Sequence, residues 1–297
     1  MKKGRPVITR RDFLRGSTYA AVATLLGTPA ITAGQQESEK RSRVVLVRHP
    51  DALAKGRNPN GDVIQQMLDD GVRTLLNIDD TTEAWRQLID PNSLVGIKTN
   101  VWAYLPTPKE VEGAILNRLA DSGLPRARVR MDDRGARTTL ADCTQLINVR
   151  PLRTHHWSGI GGCLKNYIMF VSLPFWYHPN ACASLGRIWT LPIVKGKTRL
   201  NILVVLRPLF YGRGPHHYNS SYVWDYKGIL LSSDPVAVDA IGVQLLSAKR
   251  RDYFGEEKPF TRRTHHVTYA DLKYNVGVGD PKRIDLIRVG WTEGALI

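Results

Sequence analysis

The chain has 297 residues, 42 of them Lys or Arg against 27 Asp or Glu, giving a formal net charge of +15, and 42% of it is hydrophobic. That apolar content can fill one large domain or two lobes, and it excludes a disordered chain. No recognisable nucleic-acid module accompanies the positive charge, which points to a solvated surface or to attraction for phosphates, anionic lipid or acidic substrates.

The first segment reads as a targeting signal. Thr9-Arg10-Arg11-Asp12-Phe13-Leu14-Arg15 precedes a moderately apolar stretch at 20–26 and small residues at 29–33. This resembles a twin-arginine export signal over residues 1–33, cleaved near Ala33. It implies passage through the twin-arginine translocation machinery to a periplasmic or extracytoplasmic location. A membrane span takes roughly 18 or more apolar residues, so no transmembrane helix is expected in the mature chain. Residues 34–42 are a polar linker, and 43–297 are expected to form the folded α/β domain.

Within that domain, 44–47 is a continuous apolar run of strand length, and Val63, Met67 and Leu68 share one helical face after the Asn58-Pro59-Asn60-Gly61 loop. A second core strand is predicted at 94–100, with Lys98 and Asn100 at its end. Pro108 opens a helix whose stripe is Val111, Ala114, Ile115 and Leu119, closed by Gly123. Strands follow at 128–131 and 146–149. This alternation predicts a mainly parallel sheet with helices on both faces and site loops at the carboxyl edge of the strands.

The stretch 150–166 is then expected to be a strand-to-helix loop, with Leu164, Ile168 and Val171 continuing as a helix. Residues 172–192, rich in Pro, Trp, Tyr and His, suggest a covering segment. The run 200–206 is the clearest buried strand; a loop lies beyond it at 211–217, and 228–231 makes another strand. Asp234 caps the next helix with Pro235 at its first position, and Val238, Ile241 and Leu245 form its stripe. Residues 249–266 read as a basic surface excursion, and 284–289 as the last strand.

Chemistry concentrates in the central stretch. Lys98, Asn100, Arg153, Lys165 and Asn166 are candidates to hold an anionic ligand, with Gly161, Gly162 and Gly214 letting backbone approach it at a helix start. Ordinary turn glycines and solvated lysines would give the same pattern. His155, Lys165 and Asp239 are the candidate catalytic residues. Asp239 interrupts an apolar helix face, so a partner such as Lys98 or Lys165 is expected for it. His155 and His156 cannot point the same way from an extended segment, so a divalent metal would need a further ligand; Asp234 is the first candidate, with His178, His216 and His217 behind it. Cys143, Cys163 and Cys182 lack the spacing of an iron–sulfur site, so no such cluster is expected within this chain. Cys163 is either a reactive thiol at a helix start or a small buried residue. Trp157, Trp176, Tyr177 and Trp224 either wall a pocket or fill the core.

Lys98-Thr-Asn100, Thr107-Pro108 with Glu110-Val111, Arg153-Thr-His155, Gly161-Gly162 with Leu164-Lys165-Asn166, Gly214-Pro215 and Ser232-Ser-Asp-Pro-Val-Ala-Val-Asp239 stand in one order along the chain. Together they resemble the family called domain of unknown function 362 (DUF362), over 44–289. The resemblance implies an α/β core and frequent export, and it brings no agreed reaction. Arg153 stands where the family pattern has a lysine before Thr-His, and many relatives carry an Asp near Val204. The first change makes proton transfer at Arg153 an unsuitable role, and the second removes a carboxylate. The functional alternatives are an exported enzyme using Lys, His and Asp on a small anionic or metal-bearing ligand, a non-catalytic periplasmic binding or cofactor-maturation factor, and a protein drawn to anionic envelope components by charge. Expected partners are the translocation machinery, a small anionic ligand and a redox partner protein; nucleic acid is not among them.

Overall fold

Eight strands make one sheet in the computed structural model, which describes residues 40–214 and 217–297. The expected export signal, most of the linker, Pro215 and His216 lie outside the described residues. The strands are β1 (Ser42–Arg48), β2 (Val95–Lys98), β3 (Val129–Asp132), β4 (Gln145–His155), β5 (Gly159–Gly161), β6 (Thr198–Leu209), β7 (Gly228–Ser232) and β8 (Ile284–Gly290). Their order is β3-β2-β4-β6-β7-β1-β8, with β5 added to β4. Only β7 and the short β5 run antiparallel to their neighbours, so the sheet is mainly parallel, as the alternation of strands and helices predicts.

The pleat divides the core into two. Val45, Val47, Ile97, Ile147, Val149 and Ile202 face α1 (Gly61–Leu76), α2 (Thr81–Leu88) and α3 (Lys109–Asp121). Their alternates Val44, Leu46, Leu146, Leu203 and Val205 face α4 (Cys163–Asn166), α5 (Pro235–Phe254) and α6 (His265–Leu272). Both sheet faces are thus covered, which is why the central strands read as continuous apolar runs. No described helix is long and apolar enough to cross a membrane.

Three expectations are corrected. Residues 150–155 are the second half of β4 and not a loop, and Gly159–Gly161 folds back on it as a hairpin. The helix expected from Leu164 is a single turn, Cys163–Asn166, followed by a 3-10 turn over Tyr167–Phe170. The segment 249–266 is a surface excursion only in part: none of 251–265 is buried, but α5 runs on to Phe254, and Arg250 and His266 are buried. Arg250 tolerates burial because its guanidinium donates to Phe210 O at 2.7 Å, Lys258 O at 3.2 Å and Thr154 Oγ1 at 3.1 Å, and lies 3.9 Å from the Phe260 ring centre. Helices α2 and α6 carried no sequence expectation.

Proline in a central strand removes a ladder donor and is normally tolerated only at a bulge. Pro151 follows that rule, for the β4–β6 register slips between Pro151 and Arg153. Beyond the slip, Arg153 reaches Asn100 at the end of β2.

Candidate functional site

From the carboxyl end of β2, a chain of buried polar side chains crosses the sheet through Asn148 and Asn201 in the first halves of β4 and β6. Asn201 Nδ2 donates to the carbonyls of Ser232 and Ser233 at 3.3 and 3.2 Å. Asn148 Nδ2 donates to Asn201 Oδ1 at 3.0 Å and to Cys163 O at 3.1 Å. Asn166 Nδ2 then faces Asn148 Oδ1 at 2.9 Å, Lys98 O at 3.1 Å and Val149 O at 3.2 Å, while its Oδ1 accepts from Lys98 Nζ at 3.2 Å. The Lys98 ammonium also pairs with Asp133, which accepts from Val101 N at 2.8 Å. Lys98 and Asn166, expected to touch a ligand, are therefore committed to holding strands and helix start together.

The glycine-flanked helix start is occupied from within. Asp239, fully buried on α5, accepts from Cys163 N at 2.6 Å and Leu164 N at 2.9 Å. It takes the place at the α4 N-terminus that the sequence suggested for a ligand's anion. Its partners are these two amides, with Arg150 nearby, and neither Lys98 nor Lys165. Burial pushes its carboxyl up to about 7, against the opposing pull of both amides and of Arg150. Gly162 permits the approach, because a Cβ there would lie 2.2 Å from Asp239 Oδ1.

What remains is a cluster of buried cations. Arg150 donates through Nη1 to Gly162 O at 3.3 Å, and Arg153 through Nη1 to Asn100 Oδ1 at 3.1 Å. The Nε of each is buried without a hydrogen-bond partner. The Arg153 guanidinium also lies over the Trp102 ring at 4.4 Å. Lys165, 4% exposed, has the Cys182 sulfur at 3.6 Å as its one hydrogen-bond partner among the described residues. Desolvation, reinforced by Arg150 and Arg153, lowers its amine to about 8. His155 is held well below its ordinary value by burial and by Lys165, Arg150 and Arg153. Its Nδ1 accepts from Trp157 N at 3.2 Å, which puts the proton of the neutral ring on Nε2. His266 on α6 is fully buried with neither ring nitrogen hydrogen-bonded, and burial with Lys165 and Arg150 near pushes it down to about 3.

A family model described as domain of unknown function (DUF362) matches residues 95–244, just over half of the chain. The chain belongs to this family. No curated protein and no solved structure matches it. The DUF362 span covers β2 through the first half of α5, and so Lys98, Asp133, the cation cluster and Asp239; β1, β8 and α6 with His266 lie outside it.

Among the described residues of this DUF362 chain, His155, His156 and Asp234 are not grouped as a metal set. Asp234 caps α5 by accepting from Val236 N and Ala237 N, and it also binds Val278 N and the Ser42 hydroxyl. His155 and His156 stack on each other with ring centres 5.0 Å apart. Among the described residues no three His, Cys, Asp or Glu side chains are grouped to hold a metal ion. Asp234→Ala is expected to lower stability by about 1–2 kcal/mol, the cost of a lost N-cap, and to leave anion binding unchanged in a thermal-shift titration. Gly214 is positioned by packing: at φ +67, its Cβ position lies 2.4 Å from Thr154 O. Gly161 makes room in the same way for the Arg150 guanidinium.

Asp133, Arg150, Cys182 and His266 were not singled out as site residues from sequence. Asp133 had a usable signal, since it follows a parallel strand paired with β2 and so falls beside Lys98. Cys182 had none. It ends a run, Asn180-Ala181-Cys182, in which all three residues are left-handed, with φ of 49°, 54° and 61°. Such a backbone costs about 1–2 kcal/mol per non-glycine residue and persists only where surroundings impose it. Beside the cluster, Tyr104, Pro106, Pro151, Val204 and Leu206 line a mainly apolar cavity of about 230 Å³, so Val204 faces an apolar wall.

Proposed function

We propose that this DUF362 protein captures a small anion at the carboxyl edge of β4, between Arg150, Arg153 and Lys165, with His155 Nε2–H as a further donor. The observation that carries this reading is a charge imbalance. Four buried basic side chains, Lys98, Arg150, Arg153 and Lys165, stand against two buried carboxylates, Asp133 and Asp239, and both carboxylates are already hydrogen-bonded. Buried charge without a partner is costly, and a ligand carboxylate or phosphate would supply the missing negative charge together with acceptors for the two free Nε–H groups. The arginine pair Arg10-Arg11 and the apolar residues after it support export by the twin-arginine route, so the ligand is one met outside the cytoplasm. A periplasmic binding or maturation role needs no more than this capture. Acid–base catalysis is the second reading, favoured by the neutral His155 ring among the cations.

Thermal-shift titration with phosphate, sulfate and pyruvate at constant ionic strength tests the reading. Saturable stabilisation by at least one of them, lost in Arg153→Gln, is the expected result. A response no greater than that to sodium chloride would sink it, because screening alone is neither saturable nor site-dependent.

A further inference from the structure

We infer that Lys165 captures its ligand covalently: its amine forms an imine with the carbonyl carbon of a small 2-oxo acid whose carboxylate is held by Arg150 and Arg153. The inference rests on the anion-binding reading and deepens it. Two buried lysines lie close to the sheet's carboxyl edge with opposite fates. Lys98 is tied to Asp133 and Asn166, which is how a buried ammonium is normally stabilised. Among the described residues no carboxylate pairs with Lys165, and the groups around it are Cys182, Arg150, Arg153, His155, His178 and His266. A desolvated amine among cationic groups is how a lysine is made nucleophilic toward carbonyls. The lowered pKa agrees with this: an amine at about 8 holds, at pH 8, on the order of a hundredfold more of its neutral form than an ordinary lysine.

The carboxylate end of the ligand is specified by what is already taken. The α4 amides belong to Asp239, so a second carboxylate cannot bind there. The free donors are Nε of Arg150 and Nε of Arg153, both near Lys165. A small ligand that can offer a carboxylate to these guanidiniums and a carbonyl to the amine is an oxo acid, and the 2-oxo acids are the most compact of these. The sulfur that now faces Lys165 is a weak acceptor and easily displaced. It is presented by the left-handed run Asn180-Ala181-Cys182.

In the step itself, the ammonium first releases one proton to a neighbouring base or solvent. The nitrogen lone pair forms the C–N bond as the carbonyl π pair moves to oxygen. That oxygen leaves as water with one proton from nitrogen and the one returned, and the protonated imine keeps the remaining N–H. No oxidant, reductant or metal is needed.

The test is borohydride trapping. The folded full chain is incubated with pyruvate, glyoxylate or 2-oxoglutarate, reduced, and analysed by intact mass and peptide mapping, with lactate as the anion that lacks a carbonyl. The expected result is one adduct per chain on Lys165 with at least one of the three oxo acids, labelled roughly tenfold or more above the exposed Lys109, none on Lys98 and none with lactate. Lys165→Arg abolishes the adduct, and Lys165→Met serves if the arginine variant does not fold. If lactate and pyruvate both stabilise the protein but no adduct forms on Lys165, the imine is wrong and the anion site stands. If none of phosphate, sulfate, lactate and pyruvate stabilises and none of the oxo acids reacts, both readings fall. Labelling of Lys165 equal to that of surface lysines also overturns the inference.

Discussion

Lys165→Met should make the folded protein more stable at neutral pH, by about 3 kcal/mol, while removing its response to anions. Burial lowers the Lys165 amine from 10.5 to about 8, and that difference, at about 1.4 kcal/mol per unit, is the penalty the folded state carries while the amine is protonated. The sign follows from which state binds the proton more tightly. Between pH 8 and 10.5 the unfolded chain holds the Lys165 proton and the folded chain sheds it, so wild-type stability rises with pH across that window. Below pH 8 the whole penalty is present. Methionine keeps the length and apolar stem of the side chain and removes the charge, so the penalty disappears and the rise becomes shallower. The rise does not vanish, because Lys98, also lowered to about 8 chiefly by burial, keeps its own contribution. Urea unfolding of both proteins at pH 7, 8, 9 and 10 measures this directly. A methionine variant less stable than wild type at pH 7 would mean that Lys165 already has a partner and that no ligand is needed to neutralise it.

A residue whose removal stabilises the protein and abolishes ligand response is one kept for function, since proteins hold unfavourable buried charge where a ligand completes it. Lys98 offers the contrast within the same layer. Its charge is answered by Asp133, so breaking that pair would destabilise and would say little about ligand binding.

The difference between these two lysines was not legible in the sequence, where both appear as a basic residue in a short polar motif. What was legible depended on patterns that one residue type and its near neighbours can carry. The apolar run 200–206 and the Asp234-Pro235 start with its stripe of Val238, Ile241 and Leu245 became β6 and α5. The second half of β4 was missed because Arg150, Pro151, Arg153 and His155 look like a loop. Their burial depends on Asn100 and Trp102 in one segment and on Gly161 and Gly162 in another. The same reason hid the burial of Arg250, whose acceptors come from β4, the residue after β6 and a loop beyond α5. The stretch 150–166 did mark where basic side chains gather. Its Gly161 and Gly162 make room for Arg150 and Asp239, which only the fold reveals.

Gly162→Ala should cost about 3–5 kcal/mol, the range for breaking up a buried charged contact. The cause is purely spatial, for the backbone at Gly162 is extended (φ −117, ψ −161) and suits any residue. A methyl group there meets Asp239 Oδ1 at 2.2 Å, Cγ at 2.5 Å and Oδ2 at 2.7 Å. Asp239 has little freedom to retreat. Its helix is held close to the sheet at Gly242, where a Cβ would come within 2.8 Å of Leu203, and any shift of the carboxylate gives up the Cys163 and Leu164 amides. A mutant cycle isolates the contact. Asp239→Ala alone exposes the two amides and is itself destabilising, but in that background the methyl at 162 has space and should add well under 1 kcal/mol. Strong non-additivity therefore identifies Asp239 as the occupant for which Gly162 makes room. Additive costs would show that the glycine serves some other contact, and the self-capped helix start would lose its support.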